Sequence, residues 1–353
     1  MSAQTSILSA VKDVSAFCHA AFLAVGADEA TSRDATRSMM HGSLHGVDSH
    51  GVRLLPHYIR ALQHGRLNKA PKMRFEQVKA GTGLLNADNA QGARATYHAV
   101  ELAIKMAGET GISAVGIQHS SHFGPAGAFS IEAAKAGLLG LVFGNSDSFV
   151  RLHDGASRFH GTNPISVAVP SGTTDPWLLD MATSSVPYNR VELYQSLEVG
   201  LPSGVASDKL GVETLDPNEA EMLAPLGAEF GFKGAALGGM AEIFSAVLTG
   251  MRLSPEILPM GGPDMVSPRE MGAFVIVMDP AGFVGAEIVK AGMTRYLAQL
   301  RNSPARAGRV VMAPGDREWA EADRRRVTGV PLDPVTVAGF RGLGQQFGLD
   351  LPF

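Results

Sequence analysis

The apolar residues of this chain change their spacing at Pro71, and that change limits the folds open to it. Before Pro71, Ile7, Val11, Val14, Phe17, Ala21 and Phe22 recur at helical intervals, which predicts a helix over 6–25 with Gly26 as its stop. Asp28 is placed to cap a second helix reaching about residue 44, and a third covers about 54–64 before Gly65. After Pro71, short apolar runs at 75–78, 82–85, 112–117, 138–143, 165–169, 177–179, 274–278 and 309–312 read as strands. Helical runs at 93–109, 126–136, 234–248 and 286–300 alternate with them, and the segments 200–217 and 261–268 read as loops. Alternation of this kind predicts an α/β core. The helical tail from Glu318, with an extended end at Leu351-Pro352-Phe353, is free to fold back on the first helices.

Composition narrows the function. A chain of 353 residues suggests two or three structural units. The net charge of −4 disfavours nucleic-acid binding. The one basic run, Arg324-Arg325-Arg326, reads as a solvated helix face of mixed charge. Cys18 is the only cysteine, which excludes a disulfide framework and a cysteine-based zinc site. No membrane-spanning apolar run and no signal segment is visible, so a cytoplasmic protein that binds no membrane is expected.

The densest chemistry lies in Asp48-Ser49-His50-Gly51-Val52-Arg53, followed by Tyr58. Histidine titrates nearest neutrality and suits proton transfer. The arginine fork of Arg53 suits a carboxylate. A second cluster, His119-Ser120-Ser121-His122-Phe123-Gly124-Pro125-Ala126-Gly127, sits where a strand hands over to a helix, a natural seat for an anion. Further on come Gly144-Asn145-Ser146-Asp147, Gly161-Thr162-Asn163-Pro164, Asp180-Met181-Ala182-Thr183-Ser184, Gly231-Phe232-Lys233-Gly234 and Ala313-Pro314-Gly315-Asp316-Arg317. Taken singly, most of these read as an ordinary turn or cap. No Gly-x-Gly-x-x-Gly fingerprint and no Walker pattern occurs.

In this order the motifs D-S-H-G-V-R, S-S-H-F-G, G-T-N-P, D-M-A-T-S and G-F-K-G resemble the type 2 malate/L-lactate dehydrogenase family of NAD(P)-dependent oxidoreductases, over about residues 30–320. The resemblance implies a non-Rossmann, mixed nicotinamide-binding sheet flanked by helices, in a homodimer. It implies a helical domain from 1–72 with 318–353, and a cofactor-binding α/β domain over 73–317. By this analogy His50 and His122 face nicotinamide and substrate as candidate proton donors, with Ser49 supporting His50. Arg53, Tyr58 and Arg190 are substrate-side candidates. His122, Ser146, Asp147, Thr162, Asp180, Met181, Ala182, Lys233, Gly234, Pro314 and Gly315 are the cofactor-side candidates. No metal is expected.

Two positions depart from the family pattern. Leu54 stands where family members often carry a carboxylate-binding arginine, and Asn189-Arg190 stands where they read Gly-Lys or Gly-Asp. The leading expectation is hydride transfer between nicotinamide and C2 of a small 2-oxo or 2-hydroxy carboxylic acid, a histidine exchanging the proton. Reduction of a C=N bond in a cyclic or N-alkyl imino acid is the alternative. Two other classes compete: a metal hydrolase using His41, His45 and His50, and a cofactor binder that has lost turnover. Asp147 favours NAD over NADP; Arg151 and Arg158 argue the reverse, and NAD is preferred.

Overall fold

The computed structural model describes residues 6–173, 175–196 and 198–353. The chain opens with β1 (Ile7–Ser9), then α1 (Val11–Ala24), α2 (Glu29–Leu44) and α3 (Leu55–Gln63). The first helix is shorter than its periodicity predicts, because Ile7–Ser9 pairs antiparallel with a late strand, Val330–Leu332. Asp28 caps the second helix as expected, its Oδ1 accepting from the Thr31 N–H at 2.7 Å.

Phe17, Phe22, Met39, Leu55 and Ile59 share one buried cluster with Val330 and Phe340 from the far end of the chain. The Phe17 and Phe340 rings stack at 4.7 Å between centroids. Each such burial contributes roughly 2 kcal/mol, so the tail is fastened to the leading helices chiefly by hydrophobic contact.

The central layer is built from β2 (Arg74–Lys79), β3 (Thr82–Asn86), β4 (Ile112–Ser120) and β5 (Leu139–Gly144). Two two-to-three-residue strands follow, β6 (Val150–Arg151) and β7 (Arg158–His160), then β8 (Ile165–Val169) and β9 (Trp177–Met181). After β10 (Ala206–Ser207) and β11 (Met222–Leu223) comes β12 (Met271–Met278); Val330–Leu332 is β13. The main sheet runs β2-β3-β4-β12-β5-β8-β9, and a small second sheet runs β10-β11-β6-β7. β12 lies at the centre, antiparallel to both β4 and β5, with Ala273, Val275 and Val277 buried. Only β3 and β4 pair in parallel within the main sheet, so the α/β core is mixed. Helices α4 (Gly92–Thr110) and α5 (Gly127–Lys135) pack on it.

Four sequence expectations are corrected. Residues 309–312 form no strand: the segment is exposed, with Val310 at 82%, and it pairs with no strand among the described residues. The loop expected over 200–217 contains β10, and α6 (Tyr188–Ser196) was not foreseen. Helix α7 (Phe232–Glu242) starts earlier than 234 and widens into a π turn over Ile243–Val247. The run 324–326 is not wholly solvated, since Arg325 is buried. It belongs to α9 (Asp316–Thr328), which follows α8 (Ala286–Arg301) and precedes α10 (Pro334–Phe347). Among the described residues no helix is long and apolar enough to cross a membrane.

Candidate active site

His50 sits at the junction of two short 3-10 turns, Asp48–His50 and Val52–Leu54. Gly42 and Gly51 let helix α2 lie directly against that junction. A Cβ on Gly42 would meet the His50 carbonyl oxygen at 2.7 Å, and one on Gly51 would meet Ser43 Oγ at 2.2 Å. The turn is also clamped from the tail. Arg325 Nη2 donates to Asp48 Oδ2 at 3.0 Å, and its Nη1 donates to the Ser43 carbonyl at 2.6 Å. Buried contacts thus explain why this arginine, unlike its neighbours, leaves solvent. Ser49 Oγ and His50 Nδ1 share a hydrogen bond of 2.9 Å.

His122 lies just beyond the end of β4, facing His50 across 5.6 Å between ring centroids. Its Nδ1 is hydrogen-bonded to the buried Tyr58 hydroxyl at 2.7 Å, which leaves Nε2 as the nitrogen free to meet a ligand. Burial lowers the His50 pKa from its ordinary value. For His122 burial acts with the neighbouring His50, Arg269 and His57 to push it well down. Both rings are therefore neutral near pH 7.

Ser49, His50 and His122 line a cleft of about 330 Å³ together with Ser146, Asp147, Thr162, Asp180, Met181 and Ala182. Nine of the expected site residues thus come together from five stretches of the chain. The Asp180 carboxylate accepts from the Gly127 N–H at 2.8 Å at the start of α5. Loss of water around Asp180 raises its pKa to about 6, the Gly127 hydrogen bond opposing and Glu318 adding to the rise. Ser146 Oγ accepts from the Thr162 N–H at 3.3 Å, joining the two hydroxyl-bearing walls. A carboxylate and two hydroxyls beside the small side chains of Ala126 and Ala182 suit the hydroxyls and flat ring of a nicotinamide nucleotide.

Asp147 is engaged from both sides. Arg269 forms a buried ion pair with Oδ1, and the Met260 N–H donates to Oδ2 at 3.1 Å. Arg269 also donates to the Leu258 carbonyl at 2.8 Å, tying the 257–269 loop to the cleft wall.

The remaining candidates lie outside the lining. Arg53 Nη1 donates to Asp333 Oδ1 at 3.0 Å, beside the start of α10. Tyr58 reaches the cleft only through His122. Arg190 is exposed on α6. Lys233 is exposed, its Nζ 5.3 Å from the Phe230 ring centroid. Gly234 packs so closely on Leu226 that an added Cβ would lie 2.2 Å from its carbonyl oxygen. The Pro314 carbonyl accepts from the Leu178 N–H at 3.2 Å, and Gly315 precedes α9. Arg151 and Arg158 are turned to Ser207 and Glu221. His41 and His45 stack at 4.0 Å instead of opening toward a metal, and no group of three or more metal-ligating side chains occurs among the described residues.

Sequence reading missed Arg269, Phe149, Met260 and Met271. Long-range contacts bring Met260 and Met271 to the cleft and Arg269 to Asp147, whereas Phe149 lies two residues beyond the predicted Asp147 but carries no mark of its own in the sequence.

Comparison with known proteins bears on what such a cleft does. A sequence model of the malate/L-lactate dehydrogenase family matches residues 10–341. The malate/(S)-sulfolactate dehydrogenase of Methanothermus fervidus is 28% identical over 330 residues, 93% of this chain and 94% of that protein. The ureidoglycolate dehydrogenase (NAD(+)) of Escherichia coli K12 is 30% identical over 295 residues, 83% of each chain. The crystal structure of malate dehydrogenase from Entamoeba histolytica superposes with a TM-score of 0.92 at 26% identity, covering 99% of this chain and 100% of that one.

Proposed function

Because this chain belongs to the malate/L-lactate dehydrogenase family, and is a hydroxyacid dehydrogenase acting on a CH–OH group, we propose that it interconverts a small 2-hydroxy acid and its 2-oxo acid in the cleft between His50 and Asp180. The observation that carries the reading is the Tyr58–His122 hydrogen bond opposite the Ser49–His50 pair. A nicotinamide nucleotide, when bound, supplies or accepts the hydride at C2. Ser146, Thr162, Asp180, Met181 and Ala182 are the residues that would hold it, and Lys233, Gly234, Pro314 and Gly315 are proposed to extend that seat. NAD is preferred to NADP, although the ion pair with Arg269 takes up the charge of Asp147 on which that preference first rested.

His122 exchanges the proton. In the tautomer whose Nδ1–H donates to Tyr58, Nε2 presents a lone pair that accepts the substrate hydroxyl proton during oxidation. During reduction the ring must first be protonated, and the substrate carboxylate beside it favours that charge. Ser49 fixes the His50 ring, so that its Nε2–H can donate to the carboxylate. Domains of 1–72 with 318–353 and of 73–317 would then meet across the reacting atoms, in a homodimer that acts in the cytoplasm.

The test follows nicotinamide absorbance with a panel of 2-oxo acids, 2-hydroxy acids and cyclic imino acids, using both nucleotides. Turnover of a 2-oxo acid is expected. Turnover confined to imino acids would overturn the reading.

A pH dependence follows from Asp180. As pH falls through about 6 its carboxylate takes up a proton and stops accepting from nucleotide hydroxyls, so nucleotide affinity should weaken below that point. For the protein without nucleotide the sign is reversed. The folded-state pKa lies above the ordinary carboxylate value, so this group's contribution to stability is present below about 4 and is lost as pH rises through about 6. Fluorescence titration of NADH from pH 5 to 8 checks the first effect, and Asp180→Asn should flatten the profile.

A further inference from the structure

The cleft wall is short of positive charge. Among the described residues, no arginine or lysine lines it. The nearby cations are engaged or turned away: Arg53 pairs with Asp333, Arg269 with Asp147, and Arg190 is exposed on α6. The groups at the wall able to become cationic are His50 and His122, whose rings lie 5.6 Å apart. Protonating one raises the cost of protonating the other, as like charges at that distance repel. The site therefore offers one positive charge, enough for one carboxylate. A second anionic group would enter without a counter-ion, and an unpaired charge out of water is strongly disfavoured.

What replaces positive charge is apolar and polarisable surface. Leu54, four residues after His50, borders the cleft at the end of the second 3-10 turn. Met271 pairs with Ser120 at the end of β4, two residues before His122. Met260 is held in place through its own N–H by Asp147. Phe149 and Tyr188 also line the cleft, their rings tilted to each other with centroids 5.3 Å apart. Thioether side chains adapt their shape and make favourable contacts with aromatic rings.

We propose that this cleft selects 2-oxo and 2-hydroxy monocarboxylates with a branched-chain or aromatic side group, and rejects substrates with a second acidic group. The selection rests on the dehydrogenase reading given above, and Leu54, Met260 and Met271 determine it. Oxidation of such a hydroxy acid passes a hydride to the oxidised nucleotide and the hydroxyl proton to His122, leaving the 2-oxo acid.

The experiment compares kcat/KM for 4-methyl-2-oxopentanoate and phenylpyruvate with that for oxaloacetate and sulfopyruvate. It measures binding of the same four acids by calorimetry in parallel. An advantage of about tenfold or more for the apolar acids is expected, matching loss of one methylene-scale contact or more at each apolar wall. Leu54→Arg should reverse the order by improving the diacids. Equal or better use of oxaloacetate by the native protein overturns the proposal. Absence of turnover with all four acids would sink the dehydrogenase reading instead, and calorimetry would then decide the selection: tighter binding of the apolar acids supports it, and equal or tighter binding of the diacids overturns it.

Discussion

Replacing His122 by alanine is expected to lower kcat by about 10²–10⁴-fold, the range carried by a positioned proton donor or acceptor. Nucleotide affinity should fall far less than kcat, since the seat at Ser146, Thr162 and Asp180 is left intact. The alanine also removes the partner of Tyr58, which is buried. His122→Asn keeps a polar partner for that hydroxyl and separates lost chemistry from lost packing. The pH profile adds an independent readout. With His122 present, reduction needs a protonated ring and should slow as pH rises, because burial and the adjacent positive groups hold its pKa down. That limb should vanish in both variants. Steady-state kinetics across pH, with NADH titration at each point, checks all three expectations; an alanine variant that keeps most of its turnover would move the proton to His50.

Arg269→Met is expected to cost about 3–5 kcal/mol of stability, since it leaves the Asp147 carboxylate buried with one backbone donor. Arg269 is only 2% exposed, so water is in no position to replace it. Its loss also releases the Leu258 carbonyl and with it one attachment of the loop that carries Met260. Adding Asp147→Asn to Arg269→Met should recover most of the loss, because the uncompensated charge is then gone. Urea unfolding of the two single variants and the double variant measures the coupling. Additive losses would show that the pair does not act as a unit. The guanidinium also disfavours a second positive charge on His122, so its removal should shift the reductive pH profile upward.

The sequence made some of this legible and hid the rest for physical reasons. Helices and core strands could be read because one face of each must be buried, which imprints a period: Phe17 and Phe22 on α1, Ala273 to Val277 along β12. Strands β6, β7, β10 and β11 have two or three residues each, too few to show any period. Val310 misled because an apolar run with no pairing partner looks like a strand in sequence. At the site, ordered motifs placed Ser49, His50, His122 and Asp180 in one cleft. Arg53 lies one residue before Leu54, yet it points to Asp333, because successive residues in a helical turn face different ways. Arg269 could not be found at all, since its meaning comes from Asp147, 122 residues earlier.

The clamp on Asp48 carries a consequence for how the protein comes into being. Its arginine is 277 residues further along the chain. During synthesis the turn bearing His50 leaves the ribosome well before Arg325 and the strand that closes on Ile7–Ser9. A nascent chain can assemble its sheet and its nucleotide seat long before its reactive turn is fixed. A chain without Arg325 would leave the Asp48 turn unclamped, and one without Val330 and Phe340 would also lose part of the core beneath the leading helices.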